Sequence, residues 1–326
     1  MSEQIRGLEP TSVWNHFADL NAVPRPSKKE ERVIQFMVDF GNSLGLPTEV
    51  DHVGNVFIRK QASKGMEERT PLVLQAHLDM VHQKNNDTDF DFNTQGIDMY
   101  VDGDWVKARG TTLGADNGMG VAYIMAVLSS SDIAHPAIDA LFTIDEETGM
   151  TGALELKGGM LNGKILLNID TEDDDELTIG CAGGIDINAT RKVTMEAAPA
   201  DSTTYQITVR GLSGGHSGMD IHKGLGNANK LMNRILDRLG SAVRLAHLDG
   251  GGLRNAIPRE SVALVVVTNA MEAEFKSTLS TLQVELAAEH GTTDPNLELV
   301  CEPVSDDLRV VQRAFQESLI TALYAN

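Results

Sequence analysis

The chain has 326 residues, 47 of them acidic and 27 basic, for a formal net charge of −20. With 41% hydrophobic and 23% charged residues it has the balance of a folded globular protein, and its length suits two ordinary domains. The acid surplus argues against nucleic acid and anionic membrane surfaces, whose binding draws on Lys and Arg. No run approaches the roughly 18 apolar residues of a membrane span, and the opening MSEQIRGLEPTSVW has no apolar signal region. Two cysteines, Cys181 and Cys301, cannot build a dense disulfide framework. A reducing, cytoplasmic compartment is the expectation.

In chain order, Ser27 followed by Glu30 reads as a capping box. Val33, Phe36, Met37, Phe40 and Leu44 then fall at helical spacing, and Gly45 and Pro47 end that helix. Strand-like runs follow at Val56–Arg59, Pro71–Ala76, Ala137–Ile144 and Ile165–Ile169, with a helix over Met119–Leu128. Strands alternating with helices predict an α/β domain, a sheet covered on both faces, over residues 1–182. The Gly-rich stretch Gly180–Gly184 marks the boundary to a second domain, 183–326. There the order is strand Tyr205–Leu212, helix Asn227–Leu239, strands Val243–His247 and Val262–Thr268, helix Met271–His290 and strand Leu297–Cys301, before a last helix over Asp306–Tyr324. That β-α-β-β-α-β order is the ferredoxin-like α+β signature.

Chemistry concentrates where apolar strands end. In PLVLQAHLDMV a strand runs into His77 and Asp79, and alternation lets both face one way, with Asp79 placed to orient a metal-binding imidazole. Alone, an H-x-D is more often a core His beside a surface Asp. In RGTTLGADNGMG, Asp116 precedes a helix, where it is either a helix cap or a carboxylate able to bridge two cations. In LFTIDEETG, Asp145, Glu146 and Glu147 follow an apolar strand; they form either a solvated acidic turn or a set needing a cation to offset their repulsion. As extensions of a strand, Glu146 and Glu147 point in different directions, so that one binds a metal and the other faces water. ILLNID ends a strand in Asp170, while the acids at Glu172–Glu176 read as an exposed loop. Parallel strands bring all these ends to one sheet edge. One imidazole, several carboxylates and no thiolate suit Zn²⁺, Mn²⁺ or Co²⁺, as in the two-metal sites of aminopeptidases.

The segments QAHLDMV, GTTLGADNGMG, DEETGM and NID, in this order, resemble those of the two-zinc metallopeptidases that include carboxypeptidase G, aminoacylase and the bacterial dipeptidases. CAGGIDIN, GLSGGHSGMDIHKGLGNANKL and GGGLRNAIPRE extend the likeness over nearly the whole chain. The resemblance implies hydrolysis of unblocked dipeptides, with Xaa-His a candidate substrate. It implies that His77 and Asp170 hold one zinc, Asp116 bridges both, Glu147 binds the second, and Glu146 is the general base. Asp79 would orient His77, and the Asp116–Asn117 peptide would be cis. In the lid domain it makes His216 an oxyanion donor and Asn255 and Arg254 substrate contacts. It also implies a homodimer formed through the lid. His222 acquires no role.

The resemblance requires one more His, late in the chain, on the second zinc; His290, inside a lid helix, lies in the wrong segment. Both domains are therefore expected to be incomplete at the C-terminus. A chain truncated in this way would hold the His77/Asp170 metal better than the other and would be weakly active or inactive. The alternatives are an N-acyl amino acid deacylase sharing the same metal site and an inactive binding or dimerisation fragment.

Overall fold

In the computed structural model, residues 3–171, 175–180, 183–185, 187–305 and 308–325 are described. Cys181 and Ala182 of the Gly-rich stretch, Glu172, Asp173 and Asp174 of the acidic run, and Asp306 and Asp307 of the last expected helix lie outside them. The chain divides into two compact units, Met1–Gly180 and Cys181–Asn326. No helix among the described residues is long and apolar enough to cross a membrane.

The first unit contains, in order, α1 (Glu3–Arg6), α2 (Thr11–Asn21), α3 (Glu31–Ser43), β1 (Thr48–Val50), β2 (Val56–Lys60), β3 (Leu72–His77), β4 (Met99–Asp102), β5 (Trp105–Ala108), α4 (Ala115–Ser129), β6 (Ile138–Thr143), α5 (Glu146–Gly149), α6 (Thr151–Leu154) and β7 (Ile165–Asn168). Its five-stranded sheet has the order β1-β2-β6-β3-β7. The strands β3, β6 and β7 are parallel, with β6 and β7 flanking β3, whereas β1 and β2 run antiparallel. Hence the C-terminal ends of β3, β6 and β7 share one edge. Val33 and Met37 of α3 and Val121, Ile124 and Met125 of α4 bury one sheet face with Val56, Ile58, Leu74, Ala140 and Phe142. Phe57, Val73 and Leu141 cover the other with Leu156, Met160 and Leu161.

One expectation fails here. Ser27 and Glu30 do not form a capping box. The helix begins at Glu31, and Ser27 Oγ donates instead to Asp79 Oδ2 at 2.8 Å. Glu30 Oε1 accepts the N–H groups of Lys28 and Asp145 at 2.9 and 3.1 Å. The spacing is that of a cap, but a buried carboxylate and hydroxyl bond whichever partner packing brings, here the strand ends. At the edge of the sheet, in β7, Ile165, Leu166 and Leu167 are 42 to 54% exposed.

Close approach of α4 to the sheet depends on Gly120, where a Cβ would run into the Ile169 carbonyl and the Asn117 side chain. Gly120→Ala is expected to lose about 1–3 kcal/mol, read as a lower denaturant midpoint at unchanged slope.

The second unit contains β8 (Met195–Glu196), β9 (Ser202–Arg210), α7 (Ala228–Leu239), β10 (Arg244–Gly250), β11 (Ser261–Thr268), α8 (Glu272–His290), β12 (Glu298–Val304), β13 (Val310–Val311) and α9 (Arg313–Tyr324). The antiparallel sheet β10-β11-β9-β12, with α7 and α8 as its crossovers, is the expected ferredoxin-like arrangement. Asn227 caps α7 by accepting from Asn229 N and Lys230 N. Ile207, Val209, Ile235, Leu236, Val265 and Phe275 form its core. Each unit assembles its own sheet and buried core.

Candidate metal centre

The shared edge of β3, β6 and β7 gathers five of the residues singled out in the sequence. His77 ends β3 and is fully buried. Its Nε2 lies 3.1 Å from Asp116 Oδ1, 3.8 Å from Glu146 Oε2 and 3.9 Å from Asp170 Oδ2. Ligand atoms of His77, Asp116 and Asp170 fall within 4.8 Å of one another, as do those of His77, Glu146 and Glu147. Glu146 and Glu147 therefore converge instead of diverging. They open the helical turn α5, where successive side chains lie about 100° apart around the axis and not on opposite faces as along a strand. The third acid of the run turns away, as Asp145 takes a left-handed backbone (φ 50°) and accepts from the hydroxyls of Thr148 and Thr151.

Asp116 is not a helix cap. The N-cap position belongs to Gly114, and Asp116 and Asn117 depart from helical geometry at the start of α4. The peptide between them is cis. Asn117 ties two strands to this turn: its Oδ1 accepts from His77 N at 3.2 Å and its Nδ2 donates to the Ile169 carbonyl at 2.6 Å.

Behind His77 sits Asp79, also fully buried, its Oδ1 3.2 Å from His77 Nδ1. It accepts the backbone N–H groups of Glu146 and Glu147 at 3.0 and 3.3 Å in addition to the Ser27 hydroxyl. Asp79 thus holds the imidazole and the start of α5 together.

The electrostatics follow from packing five carboxylates, those of Asp79, Asp116, Glu146, Glu147 and Asp170, around one buried imidazole. Burial disfavours charge on His77, but bonds to Asp116 and Asp79 more than offset it and raise the pKa to about 10. Burial, then the like charge of Asp116, pushes Glu147 up to about 7. Asp170 rises to about 6, by burial and then, against the pull of His77, by the charges of Asp116 and Glu146. Asp79 stays below the usual range: burial works to raise it, but His77, the Glu146 N–H and Ser27 outweigh that. Carboxylates crowded enough to favour protons, with one imidazole and no thiolate, fit a divalent cation, which would replace those protons. Among the described residues His77 is the only histidine in these groups; His290 closes α8 in the second unit, 3.8 Å from Asp294.

In the second unit, His216 pairs with Ala256 in an isolated bridge, and Ser217 N donates to the Asn255 carbonyl at 2.7 Å. His216 and Asn255 are thus brought together, with Arg254 exposed beside them. His216 Nδ1 accepts the N–H groups of Gly218 and Met219 at 3.1 Å each, so the neutral ring carries its proton on Nε2. His222 is exposed in a short turn.

Arg25, Ser27, Glu30 and Asn117 were not anticipated in these positions. Asn117 lay inside the motif GTTLGADNGMG, and Ser27 and Glu30 carried only the spacing of a helix cap.

The family model for the peptidase dimerisation domain of M20 peptidases matches residues 207–294. The chain is 45% identical over 329 residues to the cytosol non-specific dipeptidase of Escherichia coli (strain K12), an alignment spanning 100% of this chain and 67% of that protein. The crystal structure of aminoacylhistidine dipeptidase from Vibrio alginolyticus is likewise similar, at 45% identity, with 100% of this chain and 67% of that one covered and a TM-score of 0.55. An uncharacterized Bacillus subtilis (strain 168) protein, YqjE, is 22% identical over 303 residues, 87% of this chain and 74% of its own.

Proposed function

Since this chain belongs to the M20 metallopeptidase family, we propose that it is a metal-dependent dipeptidase acting on unblocked dipeptides, Xaa-His among them. The observation that carries the reading is the convergence of Asp116, Glu146, Glu147 and Asp170 on the buried His77 at one sheet edge. Both named relatives at 45% identity are dipeptidases, which favours this over a deacylase.

In this reading His77, Asp116 and Asp170 would hold one cation, and Asp116 and Glu147 would serve a second. Zinc suits the donor set best, with Mn²⁺ or Co²⁺ as substitutes. Bound cations of this kind polarise a carbonyl and lower the pKa of water. Glu146, two-thirds buried as a side chain yet still open to solvent, takes the proton from the attacking water and passes it to the leaving amine. Asp79 keeps the His77 ring oriented with Nε2 inward. The unit spanning residues 1–182 thus carries the chemistry, and residues 183–326 form the lid. There His216, with its proton on Nε2, is a donor for a developing oxyanion, and Asn255 and Arg254 bind substrate. The match to a dimerisation domain supports a homodimer through this unit, and the cytosolic relative supports a cytoplasmic location.

The test is amino acid release from unblocked dipeptides, measured before and after chelation and again after Zn²⁺, Mn²⁺ or Co²⁺ is restored. Release is expected to stop on chelation and return with metal. Undiminished release from protein shown to be metal-free would refute the proposal.

A further inference from the structure

Between α2 and α3, in the sequence Pro24-Arg25-Pro26, lies a fully buried arginine that the chemistry above does not use. Its guanidinium makes four hydrogen bonds within the first unit. Nη1 donates to the carbonyls of Leu78 and Asp79 at 3.0 and 3.1 Å, just past the end of β3. Nη2 donates to the Gly114 carbonyl at 2.5 Å and to Asn21 Oδ1 at 3.0 Å. One planar group therefore joins the segment that carries His77 and Asp79 to the turn that carries Asp116.

The surroundings are shaped to hold it. A Cβ at Gly114 would lie 2.6 Å from Arg25 Nη2, and a Cβ at Gly118 would lie at the same distance from that atom. Two glycines of GTTLGADNGMG thus leave the volume the guanidinium fills. Flanking prolines restrict the backbone on either side, and Pro26 bridges Met80 next to Asp79. Burial lowers the Arg25 pKa to about 10 against the opposing pull of Asp79, Asp116 and Glu147, so the group is cationic at neutral pH. An arginine inside a domain is costly unless its donors are met; both Nη groups are met, while Nε is buried with no hydrogen-bond partner among the described residues. Three of the four acceptors are backbone carbonyls of the segments that position metal ligands.

We propose that Arg25 is a positioning residue of the metal centre: its fork sets the distance between the His77 and Asp116 segments. The inference rests on the metal-centre reading above. A lysine keeps the charge but offers a single nitrogen, which cannot span both segments.

The experiment compares the parent with Arg25→Lys in Co²⁺ uptake and in the visible absorption of the Co²⁺-saturated protein, with far-ultraviolet circular dichroism as the check on folding. Arg25→Lys is expected to bind Co²⁺ about 10- to 100-fold more weakly, the usual effect of removing support behind metal ligands. Its absorption envelope at saturation should also change, which a general loss of stability would not cause. Parent-like affinity and spectrum in folded Arg25→Lys would overturn the proposal. If Arg25→Lys does not fold, Asn21→Ala, which removes one acceptor of the fork, decides: a roughly tenfold loss supports the proposal and unchanged uptake overturns it. A parent that takes up no Co²⁺ would overturn the metal-centre reading and this inference with it, whereas a binding parent with an indifferent variant overturns this inference alone.

Discussion

Glu146→Gln is expected to lower kcat by about 10²–10⁴-fold while leaving metal content and the thermal midpoint near those of the parent. The substitution is close to isosteric, so the start of α5 survives: the Glu146 N–H that meets Asp79 Oδ1 at 3.0 Å belongs to the backbone. What is lost is the ability to accept a proton. Of the two adjacent carboxylates, Glu147 is buried and Glu146 retains a third of its side-chain exposure, enough to meet water and a leaving amine. A general base contributes mainly after substrate is bound, so KM should move far less than kcat. Steady-state kinetics with metal analysis by mass spectrometry decides. A kcat within a few-fold of the parent would show that Glu146 is not the base.

Asp79→Ala is expected to lower stability by about 3–5 kcal/mol, as when one member of a buried ion pair is removed, and to weaken metal binding about 10- to 100-fold. Asp79 is wholly buried, and its two oxygens face His77 Nδ1, the Ser27 hydroxyl and the N–H groups of Glu146 and Glu147. Alanine leaves those donors without an acceptor and outside the reach of water, so the loss is a desolvation cost besides a lost attraction. The sign with pH follows from the depressed carboxyl. Stability from Asp79 is present above its ordinary unfolded value and is lost as pH falls through the lower folded value. The difference in denaturant midpoint between parent and Asp79→Ala should therefore shrink in strong acid. A variant as stable as the parent at neutral pH would show that Asp79 holds neither His77 nor α5.

The sheet and its chemistry were legible for one reason, repeated three times. An apolar run long enough for a strand stops at an acid or imidazole, in LVLQAH, LFTIDEE and ILLNID, and parallel strands cannot avoid placing such ends side by side. The ferredoxin-like order of the second unit was legible from alternating periodicity alone. The supports behind the ligands were not. Ser27 and Glu30 have the spacing of a helix cap, and nothing local distinguishes that from a hydroxyl and a carboxylate reaching Asp79 and the Asp145 N–H. Nothing in the sequence singles out Arg25, because its acceptors, at Leu78 and Gly114, are far away along the chain. The convergence of Glu146 and Glu147 depends on the chain turning helical one residue after Asp145, a switch set by tertiary contacts and not by propensity. Likewise the exposure of β7 depends on its place at the sheet edge, which an apolar run does not reveal.

The parallel pairing of β3 with β6 and β7 has a kinetic consequence. Such pairs join segments that are distant along the chain and must wait for long loops to close before any contact rewards them. His77, Glu146 and Asp170 lie at the ends of three different strands and Asp116 at the start of α4, so no early local structure presents two of them together. Capture of a cation therefore belongs to the last stage of folding, and cation uptake during refolding times closure of this sheet.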